Sequence, residues 1–147
     1  MNDRDTVAGR PPGRTGGSPQ RPPHQLDEAI TELDLSAEVA ALRDEPAWQQ
    51  GDRNARTFFK ESDLRVLLTV LRQGAMLREH RVPGPATVQL LSGRIRLGLS
   101  GRAIELSAGR LAILERDVPH DVEALEESAF LISIAWEGGA RGDASRA

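Results

Sequence analysis

The sequence of 147 residues contains no cysteine and no tyrosine, and aromatic residues make up only 3% of it. The absence of cysteine excludes disulfides, thiolate nucleophiles, iron–sulfur clusters and thiolate zinc sites. So few aromatic residues leave no stacking platform for single-stranded nucleic acid. No apolar run approaches the roughly 18 residues of a membrane-spanning helix, and no apolar signal segment opens the sequence. We therefore expect a cytoplasmic protein of one domain with no membrane partner.

Charge is nearly balanced, with 19 Lys and Arg against 22 Asp and Glu and a net charge of −3. Residues 1–25 carry four of the arginines and only two of the acidic residues, so the remainder is more acidic than the whole. An acidic domain is poorly suited to gripping a phosphate backbone. No glycine-rich phosphate loop and no nucleophile-elbow serine occurs either. A nucleic-acid partner is not expected.

The two ends of the sequence differ in composition from its middle. Both are rich in Gly, Arg and small residues and lack apolar periodicity, which predicts disordered tails at residues 1–25 and 138–147. Between them we assign residues 26–54 to an N-terminal helical extension and residues 55–137 to the main domain.

The helical extension is predicted from apolar residues at helical spacing. Leu35, Val39 and Leu42 fall on one helical face. Ser36 is a candidate N-cap and Pro46 ends the helix. Since so short a helix is not a domain, we expect Trp48 to pack the extension onto the rest of the chain near Phe58 or Phe59.

After residue 55 apolar and polar residues alternate with a period of two, which is typical of β-strands. Gly93, Gly101 and Gly109 lie eight residues apart, the spacing of a strand and a tight turn in an antiparallel meander. Residues 129–136 are almost entirely apolar, as in a strand covered on both faces. The pattern predicts an all-β fold, a compact sandwich or barrel, because an open sheet would expose its second apolar face.

Two of the three histidines, His80 and His120, lie in β-patterned segments, and the third, His24, lies in the N-terminal tail. A single histidine in a strand is more often a hydrogen-bonded structural residue than a functional one. Two histidines that converge would instead make a candidate site.

The segment around His80 resembles the first motif of the cupin superfamily. That motif runs from Gly through two His and one Glu to a closing Gly. Here Gly74 is followed after five residues by His80, and Gly93 closes the segment. Val82 and Ala86 stand where the family has its second His and its Glu.

The segment around His120 resembles the second cupin motif, which places Pro, Gly, His and Asn after an opening Gly. Gly109 opens this segment and His120 occupies the histidine position. Glu115, Asp117 and Ala124 replace the other family residues, and Asp117 is expected to adopt the backbone angles that the family gives to Gly.

Taken together, the two segments make the sequence similar to the small single-domain cupins, over residues from about 57 to 136. The resemblance implies a cupin double-stranded β-helix, which is a conical, jelly-roll-like barrel. In many members a divalent metal (Fe, Mn, Zn or Ni) is held inside the barrel by the motif residues. By position in the motifs, His80 and His120 correspond to two of the family's metal ligands. Val82 and Ala86 occupy the other two ligand positions and have no atom that can bind a metal. First-row metals generally need three or more protein ligands, so the metal motif is degenerate and incomplete.

A small-molecule pocket inside the barrel is the alternative use of the two imidazoles. Strand alternation places apolar side chains beside them, and Arg78 is expected near one end, where it could attract a carboxylate. A barrel filled by its own side chains, with the His pair bonded internally or to water, is a further alternative that the sequence leaves open. The predicted lining residues are His80, His120, Val82, Ala86, Val88, Leu90, Val122, Ala124 and Arg78.

These observations favour a small cupin that binds a small organic ligand without a permanent metal. The alternative is a metal-dependent enzyme of the oxygenase or isomerase type that uses an atypical two-His ligand set. A purely structural module is a third interpretation. In each case we expect a homodimer formed by sheet augmentation or sheet packing, as is common among small cupins.

Overall fold

The computed structural model describes residues 29–135, so both predicted tails lie outside the described residues. Two short helices come first and nine strands follow. The elements are α1 (Leu35–Arg43), α2 (Pro46–Gln50), β1 (Arg53–Lys60), β2 (Leu64–Leu71), β3 (Met76–His80), β4 (Ala86–Ser92), β5 (Arg94–Leu99), β6 (Arg102–Ser107), β7 (Leu111–Leu114), β8 (His120–Ala124) and β9 (Ser128–Ala135).

The strands form two antiparallel sheets. The larger has the order β1-β2-β9-β4-β7 and the smaller the order β3-β8-β5-β6. Chain neighbours β3 and β4 belong to different sheets, as do β4 and β5, so the chain passes repeatedly between the two layers. The all-β fold predicted from the alternation is confirmed, and so is the jelly-roll architecture that the cupin resemblance implied. Its core lies between the sheets and is built from the inward side chains of both, including Leu71, Val88, Leu90, Ile95, Leu97, Leu106, Val122 and Phe130.

Glycines make the tight turns that the eight-residue spacing predicts. Gly93, Gly101 and Gly109 have φ values of +85°, +78° and +89°, and each lies between consecutive strands from β4 to β7. Asp117 has φ +62° in the connection between β7 and β8. The expectation that Asp117 adopts a glycine-like backbone conformation is therefore confirmed.

The helices pack against the outer face of the larger sheet, on β1 and β2. Trp48 is buried beside Phe58, as expected, in a cluster that also contains Leu42 and Leu68. The N-cap of α1 is Asp34, whose carboxylate accepts a hydrogen bond from the Ala37 backbone, so the assignment of this role to Ser36 was wrong. No helix within residues 29–135 is long and apolar enough to cross a membrane.

Candidate functional site

A cavity of about 240 Å³ opens between the two sheets at one end of the core. Its walls are mainly aliphatic, and its polar groups come from two imidazoles and one guanidinium. The lining residues are Arg65, Leu67, Leu77, His80, Val82, Ala86, Val88, Leu114, His120, Val122, Phe130, Ile132 and Ile134.

Strand register arranges one wall of the cavity in rows across the larger sheet. Arg65 on β2 pairs with Ile134 on β9, which in turn pairs with Ala86 on β4. The next row lies two residues away on each strand and consists of Leu67, Ile132 and Val88. Because successive inward side chains are two residues apart, each row lies one step deeper in the barrel.

The histidine pair lies on the opposite wall, which is formed by the smaller sheet. There His80 on β3 pairs directly with His120 on β8. The two ring centroids lie 4.3 Å apart, with the ring planes at 60°. His120 is buried, with 7% of its surface exposed, whereas His80 is exposed. The structure thus brings together two imidazoles that lie forty positions apart in the sequence.

Backbone carbonyls fix the orientation of both imidazoles. Nδ1 of His80 lies 3.0 Å from the carbonyl oxygen of Arg78, and Nδ1 of His120 lies 2.9 Å from that of Val118. A carbonyl oxygen only accepts, so each Nδ1 carries the hydrogen and donates it. In the neutral rings Nε2 is then a lone-pair acceptor, available to a group in the cavity.

A bulge in β3 removes Arg78 from the cavity. Leu77 pairs with Val122 and His80 pairs with His120, so three steps along β3 match two along β8. Leu77 and His80 therefore both line the cavity, although strict alternation would place them on opposite faces. The prediction that Arg78 shares the cavity face of His80 was wrong, because Arg78 falls within the bulge and is exposed.

Two further predicted lining residues, Leu90 and Ala124, do not reach the cavity. They lie on the inward faces of β4 and β8, as the alternation requires, but both are buried in the packed core. Leu90 lies two residues beyond Val88 on β4, and Ala124 lies two beyond Val122 on β8. Alternation predicts the face of a strand and not the depth at which packing closes the cavity. The predicted residues that do line it are His80, His120, Val82, Ala86, Val88 and Val122.

Several lining residues were missed by sequence analysis, although a signal for them existed. The alternation around residues 65–70 contains two of them, but nothing local indicates which of its two faces points inward. The apolar run at residues 129–136 contains three more, hidden because both of its faces are apolar. The missed residues are Arg65, Leu67, Leu77, Leu114, Phe130, Ile132 and Ile134.

The donor set at the histidine pair does not fit a resident divalent metal. Val82 and Ala86, at the positions where the resemblance implies His and Glu, line the cavity but have no donor atoms. Across residues 29–135, no group of three or more His, Cys, Asp or Glu side chains is placed to hold a metal ion. Two imidazoles alone fall short of the usual three or four protein ligands.

Comparison with solved structures identifies this architecture. A conserved protein of unknown function from Streptococcus pyogenes superposes with a TM-score of 0.57 at 24% identity, covering 60% of this chain and 77% of that one. A cupin-2 domain protein from Shewanella frigidimarina gives a TM-score of 0.57 at 15% identity, covering 71% of this chain and 94% of that one. A cupin superfamily protein from Desulfitobacterium hafniense gives a TM-score of 0.56 at 12% identity, covering 58% of this chain and 78% of that one. No protein-family model and no curated protein matches the chain.

Proposed function

We propose that this chain, which has the fold of the small cupins, binds a small organic molecule in the cavity between its two sheets, without a resident metal ion. The observation that carries the proposal is a cavity of about 240 Å³ whose apolar walls surround a few polar groups. Small-molecule sites in proteins have this composition, with apolar walls for affinity and a few polar groups for orientation.

The cavity residues would contact the ligand in two ways, through apolar side chains and through polar groups. Side chains such as Val88, Ile132 and Phe130 would remove apolar ligand surface from water, which contributes about 25 cal/mol per Å² buried. His80 and His120 would contact the ligand through Nε2, because their Nδ1 hydrogens are already used by backbone carbonyls. Nε2 accepts a hydrogen bond from the ligand when the ring is neutral and donates one to it when the ring is protonated. Because backbone hydrogen bonds already hold the two rings in place, ligand binding costs less side-chain conformational entropy.

A metal-dependent cupin enzyme is the second candidate, and the orientation of the two imidazoles favours it. Histidines that ligate metals usually donate their other ring hydrogen to a carbonyl or carboxylate, as both do here. Such a site would need its remaining donors from the substrate. Metal analysis of the purified protein separates the candidates: a stoichiometric metal that is lost in His80→Ala and in His120→Ala would replace our proposal with this one.

The proposal is tested by screening small fragments against the protein and following its methyl resonances by NMR. We expect bound fragments to shift the methyls of Val88 and Val122, which line the cavity, and to leave those of Val70 unchanged. Val70 is an internal control, because it is equally buried but lies in the cluster on the outer face of the sheet.

A variant that fills the cavity makes the screen specific. Ala86→Leu adds a larger side chain at a lining position and should abolish the fragment-induced shifts. Ala103→Leu is the matched control, since Ala103 is exposed on β6 and away from the cavity. A screen in which no fragment moves Val88 or Val122, or in which Ala86→Leu leaves the shifts intact, contradicts the proposal and favours a purely structural barrel.

A further inference from the structure

We infer that the ligand is a small carboxylate with an apolar body, and that Arg65 is the residue that selects it. The inference rests on the proposed function and names the class of molecule that the same cavity takes. It replaces the expectation that Arg78 attracts a carboxylate, because Arg78 lies outside the cavity.

Arg65 occupies the cavity wall that faces the histidine pair. It is half-buried on β2, where it pairs with Ile134, and Ile134 pairs with Ala86. On its β9 side the neighbouring side chains on the inward face are aliphatic, and on its other side Arg65 pairs with Lys60 of β1, which is exposed. A guanidinium in such surroundings is weakly hydrated and is stabilised by an anion.

The charge of the lining residues has one sign. Arg65 is the only lining residue of the types Asp, Glu, Lys and Arg. No carboxylate in the lining therefore competes with an anionic ligand for it. A guanidinium has five N–H donors in a planar fork, so it can serve another contact of the protein and bind a carboxylate as well. Paired N–H donors match the two oxygens of a carboxylate, and such charge-assisted bonds are among the strongest in proteins.

The remaining walls limit the rest of the ligand. Most other lining side chains are aliphatic, which favours an apolar body over a second charged group. The cavity volume of about 240 Å³ lies below the range of about 300–1,000 Å³ that is typical of drug-sized ligands, so one ring or a short branched chain fits. Arg65 is the only Lys or Arg among the lining residues, since its β1 partner Lys60 is exposed and does not line the cavity; one lining cation suits the single charge of a carboxylate better than the double charge of a phosphate.

The experiment compares acids with their uncharged isosteres. Isovalerate, benzoate and phenylacetate, each alongside its primary amide, are titrated into the full chain by calorimetry, with inorganic phosphate as a further probe. At least one acid should bind, its amide should bind about tenfold or more weakly, and phosphate alone should not bind. The tenfold factor is the effect expected from losing one charge-assisted hydrogen bond.

Variants then assign the selectivity to Arg65. Arg65→Gln should weaken acid binding about tenfold or more and make acid and amide bind alike, whereas Arg65→Lys should recover part of the difference. Arg96→Gln is the matched control, because Arg96 is exposed and bonded to Glu123 on the smaller sheet. Circular dichroism and the melting temperature establish that each variant is folded, and Arg65→Lys keeps the test valid if Arg65→Gln does not fold.

The outcomes separate this inference from the proposed function. Amides that bind as tightly as the acids, or acid binding that survives Arg65→Gln, overturn the inference and leave the ligand site intact. The inference is also overturned, and the ligand site again left intact, if neither acids nor amides bind while other fragments shift Val88 and Val122. If no fragment of any class reaches the cavity, the proposed function itself is wrong.

Discussion

Gly93 holds the junction between the two sheets in a backbone conformation that residues with a side chain rarely adopt. It has φ +85°, and a Cβ there would lie 2.2 Å from the carbonyl oxygen of Glu127 and 2.3 Å from Oγ of Ser128. Ser128 is fully buried, and its hydroxyl accepts a hydrogen bond from the Arg94 backbone and donates towards the carbonyl of Glu126. Side-chain size and backbone conformation are thus restricted at the same position.

A pair of alanine substitutions separates these two restrictions. Gly101→Ala meets only the unfavourable backbone, because its φ is +78° and no atom lies within 4 Å of the added Cβ; we expect a loss of about 1 kcal/mol of unfolding free energy. Gly93→Ala adds a clash with backbone atoms and should lose about 3 kcal/mol or more. Urea denaturation measures both values, and equal losses would contradict the role given to the Glu127 and Ser128 contacts.

The helical extension is an element that depends on the sheet beneath it. Helices of nine and five residues are marginal on their own in water, so packing must hold them. Trp48 supplies much of this packing, and the guanidinium of Arg72 lies 4.2 Å from its ring centroid while donating a hydrogen bond to its carbonyl oxygen. Arg56 of β1 adds ion pairs to Glu38 of α1 and to Glu45. The extension is therefore a third layer on the outer face of the larger sheet.

Trp48→Ala should lower the free energy of unfolding by about 3–5 kcal/mol, because it empties the centre of this third layer. Phe59→Ala is the control, since Phe59 is 37% exposed and its loss should cost clearly less. Chemical denaturation followed by circular dichroism measures both variants. A Trp48→Ala loss no larger than that of Phe59→Ala would show that the extension contributes little to stability.

At the scale of the whole molecule, the two helices leave one part of the larger sheet's outer face uncovered within residues 29–135. The helices cover β1 and β2, but the edge strand β7 exposes Leu111 (52%) and Ile113 (72%). Exposed aliphatic residues on an edge strand favour association with another chain. The homodimer expected from the sequence remains a proposal, and β7 is the edge that supports it best.

If two copies pair through β7, Ile113→Lys should convert the dimer to a monomer, because it buries a charge in the contact. Size-exclusion chromatography with light scattering measures the mass directly. Met76→Lys is the matched control, because Met76 is also exposed (56%) but lies on β3 of the other sheet. A wild-type monomer contradicts the dimer, and a dimer that survives Ile113→Lys contradicts this choice of edge.

Local patterns in the sequence were sufficient to predict the fold and part of the cavity. Alternation placed Val88 and Val122 on inward faces, and the motif resemblance pointed to His80 and His120, whose rings lie 4.3 Å apart. Arg65 was not predicted as a cavity residue, because either face of the alternating segment around it could point inward. The packing of the helices on the opposite face decides between the two.

The sequence by itself determined the strands and the positive-φ turns such as Gly93. Each of these follows from residue type and from side chains alternating along a strand, which are local properties. The tertiary structure alone decided how deep the cavity extends, that a bulge in β3 turns Arg78 outward, and that Arg65 faces the histidines. These features depend on register and packing between strands that are far apart in the chain, and no local pattern encodes them.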